Sequence, residues 1–124
     1  MARLFIAAGL AAVFSTAAAA QAVPVTLTEW KIAINRDTLP AGSVTFRVKN
    51  DGTMPHAFHV EGGGLDKETR QIGPHESASL TVTLKPGTYD VYCPLSELSH
   101  KQAGMLKKIT VVAGAPAAPK KPGQ

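Results

Sequence analysis

The feature that most constrains this chain is a set of short segments in which apolar and polar residues alternate, cut apart by glycine- and proline-bearing turns. Residues 43–49 place Val44, Phe46 and Val48 on one face. Residues 77–84 do the same with Ala78, Leu80, Val82 and Leu84, and residues 88–93 with Tyr89, Val91 and Cys93. A period of two sends successive side chains to opposite faces of a strand, so each segment reads as half-buried β structure. Leu39-Pro40-Ala41-Gly42, Asn50-Asp51-Gly52-Thr53 and Lys85-Pro86-Gly87 supply the turns. Residues 25–34, 56–60 and 105–112 also read as extended, while Gly62-Gly63-Gly64 opens a polar loop running through Asp66 to Arg70 with at most one helical turn. No long 3.6-residue period is present. About seven strands at roughly 8–12-residue spacing predict a single all-β domain, an antiparallel Greek-key β-sandwich.

The ends read differently. Arg3 supplies a positive start, residues 4–14 are wholly apolar, and Ala20-Gln21-Ala22 resembles an export-signal cleavage site. The expectation is a signal peptide over residues 1–22, with a cut after Ala20 as the alternative. The apolar run is short against the ~20 residues a membrane span needs, which argues against an uncleaved anchor. No other segment is long and apolar enough to span. Removing 22 of the 124 residues leaves 102, enough for one core. Residues 113–124 are mostly Ala, Pro, Gly and Lys and read as a disordered tail. Residues 23–112 carry 10 Lys and Arg against 9 Asp and Glu, so most of the basic excess comes from Arg3, Lys120 and Lys121. No basic stripe points to nucleic acid.

Chemistry concentrates around Cys93, the only cysteine. In an exported chain it has no intramolecular disulfide partner, so it is an intermolecular link, a buried thiol or a ligand. Its neighbours favour the ligand: His100 follows by seven positions and Met105 by five more, with His56 upstream at the head of an extended segment. Thiolate, imidazole and thioether are the donors suited to a copper ion that cycles between Cu(I) and Cu(II). The cysteine must bind as thiolate and the imidazoles as neutral rings. The Met105 thioether would be a weak axial donor favouring Cu(I). Zinc accepts Cys and His equally well, but its structural sites rarely use methionine. His59 falls on the strand face opposite His56, and His75 lies in a turn. Glu97 is a hard donor, and Trp30 and Tyr92 read as core or surface aromatics. No nucleophile–base pair, paired carboxylates or phosphate loop suggests an enzyme.

Taken together, Asn50-Asp51-Gly52 with His56-Ala57-Phe58, Pro86-Gly87-Thr88-Tyr89, Tyr92-Cys93-Pro94, His100, Gly104-Met105 and the closing Lys108-Ile109-Thr110-Val111 resemble the cupredoxins, the small blue-copper family that includes plastocyanin and azurin. The resemblance implies one mononuclear type 1 copper held by His56, Cys93, His100 and Met105. It implies an exported, periplasmic electron carrier, monomeric, with His100 at the exposed edge of the site. Redox proteins would dock there transiently on Met54, Pro55, Pro94, Leu95, Leu98 and Ala103. Three details depart from the commonest family pattern. Six residues separate Cys93 from His100, Ala57 stands where Asn is frequent, and Pro94 stands where Ser or Thr is frequent. A copper carrier that loads an exported enzyme would use the same ligands, and a metal-free interaction module is the third reading.

Overall fold

Two β-sheets pack face to face, each strand turning its apolar side to the other sheet. In the computed structural model, residues 20–96 and 98–114 are described, together with Gly9. The expected signal peptide before residue 20 (Gly9 apart), Glu97 and the tail beyond residue 114 lie outside the described residues. The strands are β1 (Gln21–Thr28), β2 (Lys31–Ile34), β3 (Thr38–Pro40), β4 (Gly42–Asn50), β5 (His59–Gly62), β6 (Leu65–Glu68), β7 (Ser77–Leu84), β8 (Gly87–Tyr92) and β9 (Leu106–Val112). One turn of helix, α1 (Ser99–Gln102), precedes β9. The first sheet runs in the order β2-β1-β4-β7 and the second β3-β9-β8-β5-β6.

The alternation read from sequence is the alternation that packs. Val44, Phe46 and Val48 of β4 are buried, as are Val82 and Leu84 of β7 and Tyr89 and Val91 of β8. Phe46 meets Phe58 across the sandwich with ring centroids 5.1 Å apart and planes tilted at 54°, an arrangement that contributes about 0.5–1.5 kcal/mol beyond area burial. The Tyr89 hydroxyl donates to the Lys85 carbonyl (2.9 Å) and accepts from the Lys85 N–H (3.0 Å), closing the turn before β8.

Several expectations need correction. The sheets are mixed: β1 pairs with β4 in parallel, and β3 with β9 in parallel. The chain reverses at β2 and crosses to the other sheet at β3, so β4 returns beside β1 running the same way. Nine strands form among the described residues where about seven were expected. Residues 25–34 are not one strand but a hairpin of β1 and β2, broken at Glu29–Trp30, where Trp30 takes a left-handed φ of 65°. Leu39-Pro40 belongs to β3, at the edge of its sheet, where a residue without an N–H is tolerated. Residues 65–68, expected in a loop, form β6, a second sheet edge with a mostly exposed polar pattern. Edge strands of this kind carry no apolar alternation to announce them. His56 forms an isolated bridge with Ile72, and β5 begins only at His59. Pairing in β1 begins at Gln21↔Val44.

Candidate metal centre

All four expected donors sit at one end of the sandwich. His56 lies between the loop that leaves β4 and the start of β5, Cys93 directly follows β8, and Met105 directly precedes β9. His100 is carried by α1 in the loop between the last two. The interval of six residues is accommodated by left-handed backbone at Ser96 (φ 54°) and Leu98 (φ 70°), followed by the helical turn.

Backbone hydrogen bonds set each donor without help from a metal. His56 N–H donates to the Ile72 carbonyl (3.0 Å), and Ile72 N–H donates back to His56 (2.7 Å). Cys93 N–H donates to the Met105 carbonyl (3.1 Å), and Met105 N–H donates to the His100 carbonyl (3.1 Å). Asn50, fully buried, braces the approach to His56. Its Nδ2 donates to the carbonyls of Met54 and Ile72 (both 2.9 Å), and its Oδ1 accepts from Gly52 N–H (2.8 Å).

Three donor atoms then converge. Cys93 Sγ is 3.5 Å from His100 Nδ1 and 3.9 Å from His56 Nδ1, and one donor atom from each of these residues lies within 4.8 Å of the others. His56 and Cys93 are fully buried and His100 is 6% exposed. Met105 is also fully buried, its backbone tied to both Cys93 and His100. His59 turns away: it stacks on Tyr92 at 4.6 Å and contacts Asp66 and Glu68. His75 is exposed in its turn.

The surroundings favour a neutral ring at His56 and the protonated thiol at Cys93, so a metal bound there would have to displace the thiol proton. Burial holds the His56 imidazolium below its ordinary range; the Glu29 contact opposes this, and the neighbouring His100 adds to it. Burial pushes the Cys93 thiol up, offset in part by backbone N–H groups of Ala57 and Leu95. Ala57 N–H donates to Cys93 Sγ at 3.4 Å. Donors to the sulfur therefore come from the residue after His56 and from Leu95, while Pro94 contributes none. One soft sulfur and two ring nitrogens, desolvated and facing one another, fit copper.

Three contributors were not read from the sequence. Glu29, in the β1–β2 turn, is held ionised, with its carboxyl pulled down to about 2 chiefly by the N–H of Thr53. Its Oε1 lies 3.5 Å from His56 Nε2. Trp30 beside it, 46% exposed, meets the His100 ring edge-on with centroids 5.2 Å apart. Asn50 is the third; its place in a turn signal was visible, its bracing role was not. His100, 6% exposed, is the least buried of the four expected donors. The indole, and Ser96 Oγ at 3.5 Å from His100 Nε2, flank it. His100 itself lines a shallow groove with Met54, Pro55, Leu95 and Ser96.

A family model described as a Cupredoxin-like domain matches residues 2–114. Among solved structures, the chain is similar to a reduced auracyanin from the photosynthetic bacterium Roseiflexus castenholzii (TM-score 0.65, 22% identity, covering 76% of this chain and 98% of that one). It is similar to a blue copper oxidase from Nitrosomonas europaea (TM-score 0.59, 17% identity, 80% of this chain and 41% of that one). It is also similar to an oxidised amicyanin variant (TM-score 0.51, 25% identity, 73% of this chain and 82% of that one). A comparison with curated protein sequences finds no match.

Proposed function

This chain belongs to the cupredoxin-like family, and from that premise we propose that it is an electron carrier with one mononuclear type 1 copper held by His56, Cys93, His100 and Met105. The observation that carries this reading is the convergence of Cys93 Sγ with the Nδ1 atoms of His56 and His100 in a buried pocket. Bound there, copper supplies a one-electron Cu(II)/Cu(I) couple. The chain's part is to keep both imidazoles neutral, to present the sulfur with its N–H donors, and to exclude water. An enclosed site whose donors are already placed favours retention of the ion through redox cycles over delivery to an acceptor. The structural likenesses also support a carrier. The auracyanin likeness spans nearly that whole chain, whereas the oxidase likeness covers less than half of the oxidase.

Partner docking belongs at the same end. Trp30 and Leu98 are exposed there, beside the Met54–Leu95 groove, and small apolar patches suit brief redox encounters. Export to the periplasm fits the apolar start of the chain. Pairing that starts at Gln21 supports cleavage after Ala20, which leaves β1 whole. No helix among the described residues is long and apolar enough to cross a membrane.

The test is the visible spectrum of the copper-loaded, oxidised protein. The expected result is an intense blue thiolate-to-Cu(II) band that Cys93→Ser abolishes. A wild-type protein without that band, or a Cys93→Ser variant that keeps it, overturns the assignment. Copper that leaves for an acceptor at each reduction identifies a copper carrier instead.

A further inference from the structure

His56 Nε2 is buried and has no hydrogen-bond partner among the described residues. The nearest acceptor is Glu29 Oε1 at 3.5 Å, and this oxygen is not there by chance of a flexible side chain. It accepts from Thr53 N–H (2.6 Å), Met54 N–H (3.1 Å) and Thr53 Oγ1 (3.3 Å). The carboxylate is thus fastened to the loop that leads into His56, although Glu29 comes from the turn between β1 and β2.

Space for it is provided by one residue. A Cβ built on Gly52 would lie 2.9 Å from Glu29 Cδ, and the three nearest atoms are all of that carboxyl group. Gly52 does not have a left-handed φ, so its backbone would accept alanine. The glycine is needed for the Glu29 carboxyl group and not for the turn. Gly52 N–H also bonds the Asn50 side chain, which holds the glycine against that group.

We propose that Glu29 is a positioning residue for His56: its carboxylate holds the ring with the proton on Nε2 and the lone pair of Nδ1 facing Cys93, and Gly52 is the small residue that admits it. The inference rests on the copper reading, and adds that a residue outside the ligand loops sets the tautomer and basicity of one ligand. Partners of this kind orient ligating histidines and make them better donors; losing one costs about 10–100-fold in metal affinity. A negative charge near the ring favours Cu(II) over Cu(I).

Three measurements decide it. Long-range nitrogen–proton NMR of the metal-free protein should show His56 in the Nε2–H form, and Glu29→Ala should shift it toward the other tautomer. In copper-loaded protein, Glu29→Gln keeps an acceptor for Thr53 and Met54 but removes the charge. Chelator-driven release of Cu(II) should be about tenfold faster. If Cu(I) binding is unchanged, the potential rises by about 59 mV, the equivalent of tenfold for one electron. Gly52→Ala should reproduce these effects by displacing the carboxylate, yet add nothing in the Glu29→Ala background. Unchanged tautomer and release rate in the Glu29 variants, or a Gly52→Ala effect of equal size with and without Glu29, overturns the proposal. If the wild type takes up no copper, the electron-carrier reading falls. The His56 tautomer, and the same variant cycle followed by melting of the metal-free protein, then decide the Glu29 contact by the same criteria.

Discussion

Asn50→Ala should cost about 3 kcal/mol of folding stability and loosen copper as well. The side chain is fully buried and makes three hydrogen bonds, to Met54, Ile72 and Gly52. Truncation does not treat the three partners alike. The Ile72 carbonyl keeps the N–H of His56 at 3.0 Å, and Met54 is half-buried, so its carbonyl can turn to water. The Gly52 N–H is buried and loses its acceptor. An orphaned buried donor costs about 1–3 kcal/mol, and each lost bond to a group that keeps or finds another partner about 0.5–1.5. A total near 3 kcal/mol lowers the melting point by roughly 12–24 °C in a domain of this size. The assay is far-UV circular dichroism of the metal-free protein on heating, with chelator-driven Cu(II) release measured on the loaded protein. Release should quicken because residues 50–54 lead directly into His56. A loss below about 1 kcal/mol with unchanged release would refute the view that Asn50 braces the ligand loop.

Three further outcomes follow from the site. His56→Ala should strip or badly distort the blue band, while His59→Ala leaves it nearly intact, since His59 lies against Tyr92 and Asp66; equal damage in the two visible spectra contradicts the geometry. Met105→Leu replaces a fully buried side chain by one of similar volume, at less than about 1.5 kcal/mol. It should keep copper and raise the reduction potential, because losing a weak donor costs Cu(II) more than Cu(I); voltammetry showing a fall, or loss of copper, counts against axial ligation. The metal-free protein should be most stable between about pH 6.5 and 9. His56 titrates below its ordinary 6.5 when folded, so the unfolded chain takes the proton first and stability is lost as pH falls from 6.5 through the folded value. Cys93 titrates above its ordinary 9.0, so the unfolded chain ionises first and stability is lost as pH rises from 9 through the folded value. Melting curves across pH 4–11 check both limbs, and His56→Gln should flatten the acid limb alone.

The parts of this molecule legible in the sequence are those governed by local periodicity or by donor chemistry. Val44, Phe46 and Val48 announce a core strand because each faces inward at every second residue. Cys93 and His100, close in the chain and of donor types suited to a soft metal, pointed to one spot, and the fold brings both together with His56. What was not legible depends on contacts between segments distant in the chain. Glu29 reaches Thr53 and His56 only because β1 and β4 run parallel and end side by side, at Leu27↔Asn50. That register has no short-range signature. Trp30 covers His100 through a left-handed turn residue that propensity would assign to glycine or asparagine. β6 was missed because a polar edge strand has only one neighbour to pair with and little apolar surface to bury.

These distant contacts explain how the site is kept ready for a metal. Each donor is fixed by bonds that make no use of an ion: His56 by its two-way bridge to Ile72, Cys93 and His100 through Met105, and the sulfur by Ala57 N–H. Burial of such donors disfavours their charged forms, which holds the His56 titration down and pushes that of Cys93 up. The donors sit where strands end, and Asn50 of β4 together with Ile72, bridged to His56, ties them to the scaffold. For the copper carrier proposed above, donors placed in advance would shift little between two oxidation states, and small rearrangement lowers the barrier to moving one electron. The same fixed placement argues that partner choice resides outside the donors. Leu98 is exposed at this end and is not among the ligands proposed, so it can be exchanged without removing a donor, whereas Trp30 packs against the His100 ring.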